Sequence, residues 1–201
     1  MRTKDTVTQV SRHARSAVAA FLSIVASCAA LAADGADPAA RSDLRPDRLT
    51  LWHGTARDAR ATAAGLQWDL PWRRAWGRGT LTAHAELNLG HWRADAAGDD
   101  ASAVSTQVGV TPVLRYAFDG AAGWFVEAGI GANVIAPVYR SRDKRFSTAF
   151  NFGDHVGVGW RSSTRPGWSL ALRVQHFSNA GIARPNPGEN FLQIQFAYDL
   201  R

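Results

Sequence analysis

Trp124-Phe125-Val126-Glu127-Ala128-Gly129-Ile130-Gly131-Ala132-Asn133-Val134 decides the fold class. Its even positions are apolar throughout, and its odd positions from Glu127 onward carry Glu, Gly, Gly and Asn. A period of two means a β-strand with two chemically different faces. The pattern returns at Leu81–Leu89, where the odd positions are apolar, and at Val108–Tyr116, where Val108, Val110, Pro112, Leu114 and Tyr116 share one face. Helical periodicity of any length is absent after the N-terminus. Segments of this kind fall near 47–55, 61–70, 78–92, 104–118, 122–136, 145–161, 167–178 and 189–201, which makes eight strands.

The connections alternate in character. Pro71–Gly77, Asp119–Ala121 and Ser162–Pro166 are the tighter set, and Arg93–Ala103, Pro137–Lys144 and Asn179–Gly188 the longer and more polar one. Amphipathic strands of about ten residues joined by alternately short and long connections predict an all-β, eight-stranded antiparallel up-and-down outer-membrane β-barrel. A water-soluble barrel also alternates, but hides its apolar face inside. Here the polar set, His84, Glu86, Asn88, Arg115, Glu127, Arg173, Gln175, Gln193, Gln195 and Asp199, is interleaved with glycine, as a narrow lumen requires. Trp and Tyr near the strand ends are expected to form interfacial girdles. Arg201 at the end of the chain, where such barrels often carry an aromatic, is a departure.

The N-terminus reads as a secretory signal. Arg2, Lys4, Arg12 and Arg15 precede the apolar run Ala17–Ala26, and Ala30-Leu31-Ala32 supplies a small-x-small cleavage site. Cleavage after Ala32 leaves a mobile leader over 33–46 and the barrel over 47–201. A competing lipoprotein reading places Cys28 at the new terminus. Of the 201 residues 46% are hydrophobic and 20% charged, which excludes a disordered chain. The formal charge of +6 would fit nucleic acid, but the signal takes away four basic side chains and Asp5. No nucleic-acid partner is expected of the remainder. The single Cys excludes an internal disulfide, and no His/Cys spacing suits a metal.

Gln175-His176-Phe177-Ser178-Asn179-Ala180-Gly181-Ile182 is the informative stretch for chemistry. Trp168, Leu170, Leu172 and Val174 form a lipid-facing row, and His176 and Ser178 continue it. An imidazole and a hydroxyl facing lipid cost about 1–3 kcal/mol each without partners. With both termini periplasmic, these residues stand at the outer-leaflet end of strand seven, and a base two residues from a serine on one face suits attack on a lipid ester. Equally, His176 reads as an interfacial polar residue and Ser178 as the opening of a turn.

His176–Ile182, followed by Pro185-Asn186-Pro187-Gly188, closely resembles the motif of the lipid A deacylase PagL family. The resemblance implies an eight-stranded outer-membrane barrel that hydrolyses the ester at position 3 of lipid A, without metal or other cofactor. It implies Ser178 as nucleophile and His176 as general base, with lipopolysaccharide and outer-membrane lipids as partners. A homodimer is left open. It also makes the Asn186 side chain and the backbone around Asn179–Gly181 the oxyanion donors. Here the chain departs from the family, which places a glutamate shortly after the Pro-Asn turn to orient the histidine. At the aligned position stands Asn190, with Glu189 before it. Parity favours Asn190, which shares the outward row with Leu192 and Ile194. Chemistry favours Glu189, because a carboxylate stabilises imidazolium and an amide does not.

His84, Glu86, Arg115, Glu127 and Arg173 read as a lumen network. Asp154 lies among apolar residues on its face, which predicts a local bulge. Tyr139-Arg140-Ser141-Arg142-Asp143-Lys144-Arg145 sets four cations against one Asp in a long connection. That run suits phosphates and acidic sugars, and suits equally a solvated loop. Rival readings from other classes are a non-enzymatic structural or adhesive barrel, an acyltransferase barrel, and a soluble lipocalin-like carrier.

Overall fold

The structure, a computed structural model, describes residues 44–95 and 103–201. The signal segment, most of the leader and part of the connection after Arg93 lie outside the described residues. Eight strands follow in order: β1 (Arg48–Thr55), β2 (Ala59–Trp76), β3 (Gly79–Ala94), β4 (Ala103–Phe118), β5 (Trp124–Ala136), β6 (Phe150–Arg161), β7 (Trp168–Ser178) and β8 (Glu189–Asp199). Each pairs antiparallel with its sequence neighbours, and β1 also pairs with β8, so the sheet closes on itself. Closure leaves no free strand edge, a requirement for backbone surrounded by lipid.

Alternation sorts the side chains as the sequence predicts. The outside carries an exposed apolar band that includes Leu51, Leu89, Val110, Val156, Leu172 and Ile194. Such a continuous apolar exterior around a polar interior is the reverse of a soluble barrel, and it matches a hydrocarbon surround. The lumen has two storeys. Toward the end that holds the chain terminus and the tight turns, Arg173 donates to Glu127 Oε1 at 2.6 Å and to Glu86 Oε1 at 2.8 Å. Arg115 donates to Glu127 Oε2 at 2.9 Å, and Gln67 to Glu86 Oε1 at 2.7 Å. Toward the other end Trp92 is packed edge-on by Phe177 and Phe191, with ring centroids at 4.8 and 4.7 Å. Glycine makes room for this filling: a Cβ on Gly131 would run into Thr111.

Four sequence expectations are corrected. The stretch Pro71–Trp76 is not a turn, because β2 runs through it to a hairpin at Gly77, where φ is +57. Between Asp69 and Arg73 the register slips, and Pro71, which has no N–H to donate, lies in the unpaired segment. β6 begins at Phe150 rather than near 145, since residues 139–146 fold as a small hairpin of their own. Asp154 needs no bulge, because pairing runs unbroken through it on both sides. The fourth concerns the girdles. Trp76, Tyr116, Trp124, Trp160 and Trp168 ring the tight-turn end, with Trp160 and Trp168 at 5.2 Å. At the opposite end Trp52 and Trp92 turn inward, and the exposed positions of β1–β3 carry His53, Arg60, His91 and Arg93 instead.

Candidate active site

β7 leaves the polar storey at Arg173 and reaches the loop end of the barrel at Ser178. Its inward residues alternate with Leu170, Leu172 and Val174 outside, and the outward row continues through His176 to Ser178. Phe177, between them, is 1% exposed and wedged against Trp92, which fixes the strand and aims its two neighbours outward.

Antiparallel register sets Asn190 of β8 directly opposite His176. His176 Nδ1 lies 2.6 Å from Asn190 Oδ1. An amide oxygen only accepts, so Nδ1 carries the proton and Nε2 is the basic nitrogen. Glu189 is not brought to the histidine. It is opposite Phe177, faces the interior, and accepts from the Tyr139 hydroxyl at 2.7 Å and from Lys144 Nζ at 2.8 Å. Burial pushes the Tyr139 phenol well up, and the bond to the Glu189 carboxylate adds to it. The Tyr139 hydroxyl therefore stays a neutral donor.

Beyond Ser178 the chain turns sharply. Ala180 has φ of +51, the left-handed region that a side chain enters at a cost of about 1 kcal/mol or more. The Asn179 N–H donates to Asn186 Oδ1 at 3.0 Å, so the Asn186 carboxamide sits against the peptide link that follows Ser178. The Gly181 N–H donates to Asn179 Oδ1 at 2.9 Å. Both backbone groups expected as oxyanion donors are thus engaged within the loop. Among the described residues, the Ala180 N–H has no acceptor, and Asn186 retains its Nδ2 donors. No hydrogen bond among the described residues joins Ser178 Oγ to His176, which is common in catalytic pairs before substrate arrives.

Three contributors escape a reading of the motif alone. Gly188 has φ of +63, and a Cβ there would lie 2.6 Å from His176 Cε1 and 3.2 Å from Nε2. Only glycine lets the backbone approach that edge of the ring. Asp154 of β6 is the cross-strand partner of His176 on its other side, and shares its outward face. Counting pairs from the tight turn after Arg161 would have found it. Starting from His176 and Asp154, a groove of about 420 Å³ runs down the outside, lined by Val156, Val174, Ala128, Leu114 and Ala83. No group of His, Cys, Asp or Glu among the described residues could hold a metal.

The family model for lipid A 3-O-deacylase (PagL) matches residues 62–199. The chain belongs to the PagL family. It is 38% identical over 133 residues to lipid A deacylase PagL of Bordetella bronchiseptica, covering 66% of this chain and 70% of that one. Against the Pseudomonas aeruginosa protein of the same name it is 33% identical over 128 residues, covering 62% and 69%. The crystal structure of the outer membrane enzyme PagL superposes with a TM-score of 0.63 at 25% identity, spanning 75% of this chain and 97% of the other. The match to the family model takes in β7, the following loop and β8.

Proposed function

We propose that this protein is an outer-membrane lipid A 3-O-deacylase of the serine-hydrolase type, working on the outer leaflet from the lipid-facing wall of its barrel. The observation that carries the reading is the His176 Nδ1 contact to Asn190 Oδ1 at 2.6 Å, with Ser178 next along the same outward row. Elsewhere on that wall a polar side chain only loses hydration. Here it meets the ester bonds of a lipid.

In this mechanism Ser178 Oγ attacks the ester carbonyl carbon at position 3 of the sugar while His176 Nε2 takes its proton. Asn190 holds the ring in the tautomer that frees Nε2, and Gly188 leaves space beside it. Negative charge builds on the carbonyl oxygen, where the Asn186 amide and the Ala180 N–H supply donors. His176 then gives its proton to the sugar oxygen as the ester C–O bond breaks, and water resolves the acyl-serine in the same way. The groove below His176 and Asp154 accommodates the acyl chain. Periplasmic termini set the loop end, with its His and Arg belt, among the headgroups of lipopolysaccharide.

The test is turnover of lipid A by the purified barrel in water enriched in oxygen-18. One labelled oxygen in a released hydroxy fatty acid, and none in the sugar, is expected. Ser178→Ala should release nothing. Asn186→Ala should lose about 10²–10³ in rate, the usual effect of removing one oxyanion donor. Equal losses in those two variants would remove Asn186 from its role. Appearance of a new acylated lipid in place of free acid would favour the acyltransferase.

A further inference from the structure

The connection between β5 and β6 closes as a tight hairpin. Phe146 N–H donates to the Tyr139 carbonyl at 3.0 Å and Ser141 N–H to the Lys144 carbonyl at 2.7 Å. Between those bonds Arg140 and Arg145 form a bridge. This is the narrow, non-hydrogen-bonded pair of an antiparallel ladder, which brings side chains closest, with Cβ atoms about 4.5–5.5 Å apart. Like charges placed so are unfavourable unless something between them is negative.

The hairpin is anchored to the barrel in this arrangement. Its inner face is fastened by Tyr139 and Lys144 to the two oxygens of Glu189, and Phe146 packs on Tyr139 with centroids at 4.8 Å. Just beyond, Ser147 Oγ accepts from Asn179 Nδ2 at 3.0 Å. Lys144 is thereby neutralised, which leaves Arg140, Arg142 and Arg145 exposed on the outer side. None of these three has an ion pair among the described residues, and Asp143 at the tip is the only carboxylate of the run. The anchors themselves adjoin the site, since Glu189 precedes Asn190 and Asn179 follows Ser178.

We propose that Arg140 and Arg145, aided by Arg142, are a clamp for a phosphate group of lipid A that seats its sugar over Ser178. Two guanidinium forks fit the several oxygens of a phosphate monoester, and a bound dianion converts their mutual repulsion into attraction. The hairpin is anchored before any ligand arrives, which lowers the ordering that binding requires. This deepens the deacylase reading and rests on it for the choice of lipid.

Binding is measured with Ser178→Ala barrels in neutral detergent, using fluorescent lipid A with both phosphates and the same lipid after phosphatase treatment. The phosphorylated lipid should bind more tightly. Arg140→Gln combined with Arg145→Gln should weaken it about 10- to 100-fold, the effect of losing one or two charge-assisted bonds, and leave the dephosphorylated lipid unchanged. Both positions are exposed, and unchanged heat-modified mobility on gels would verify the fold. Equal affinity for the two lipids, or an unaltered double variant, would overturn the clamp. Competition by phosphatidylglycerol as effective as lipid A would show a general anionic-lipid contact and overturn it too. With Ser178 present, the same double substitution should raise KM about tenfold and leave kcat alone. Absence of any turnover by the unsubstituted enzyme would count against the hydrolase reading, while the binding arms still decide the clamp.

Discussion

Arg173 and His176 stand three residues apart on β7 and face opposite ways. Arg173 points into the lumen, is 2% exposed, and is met by two carboxylates that it shares with Arg115, Gln67 and His84. His176 points out, has one hydrogen-bond partner among the described residues, and has the Gly188 backbone close to one edge of its ring. A polar group that is fully paired holds a fold together. One that is half paired, and oriented, is available for a reaction. Both burdens fall on the same short strand because its period of two keeps them on separate faces.

The widest separation of the two comes from deleting each in turn. His176→Ala or Ser178→Ala should lower deacylation by roughly 10⁴-fold or more, as when a serine–histidine pair is broken, and leave the heat-modifiable barrel band unaltered. Loss of the band along with activity would mean that the outward pair is structural. Arg173→Met should do the reverse. It leaves Glu86 and Glu127 facing each other without their shared cation, which should destabilise the barrel by about 3–5 kcal/mol. Urea unfolding in lipid vesicles reads that loss, and adding Glu86→Gln with Glu127→Gln should recover part of it.

Gly188→Ala probes the edge of the imidazole that faces Gly188. A methyl group 2.6 Å from Cε1 must displace the ring, and φ of +63 adds strain, so kcat should fall about 10²-fold with the barrel still folded. Near-normal kcat would show that the ring is not held there. The smallest effect belongs to Asn190. In the proposed mechanism its amide orients the ring but brings no charge, so Asn190→Glu should raise kcat by up to about tenfold. Glu189→Gln should not mimic any change at Asn190, because Glu189 serves the Tyr139–Lys144 hairpin.

Much of this was legible in the sequence because parity is a local property. Alternation along Trp124–Val134 and Trp168–Ser178 is enough to sort lumen from lipid and to place His176 with Ser178 outside. The same counting favoured Asn190, which the structure sets against His176, while the carboxylate's chemistry pulled toward Glu189, which the structure pairs elsewhere. What was missing lies far away in the chain: the hydroxyl of Tyr139 and the ammonium of Lys144, which occupy Glu189 from 50 and 45 residues off. Pro71–Trp76 was misread for a different reason. Proline and glycine mark a turn in most contexts, whereas a register slip lets the strand carry Pro71 unpaired. The loop after Ser178 was legible only as a motif. Its Asx bonds engage the Asn179 and Gly181 N–H groups, and nothing in residue type reveals which donors stay free.

In the proposed mechanism an ester of lipid A is cleaved by Ser178 on the outer wall of the barrel. Mass spectrometry of lipid A from cells expressing the unsubstituted protein, His176→Ala and Ser178→Ala tests it most directly. Loss of a single 3-linked hydroxyacyl chain is expected with the unsubstituted protein, and intact lipid A with both variants. Intact lipid A in all three, with folded protein in the outer membrane, or the same chain missing with Ser178→Ala, would contradict it.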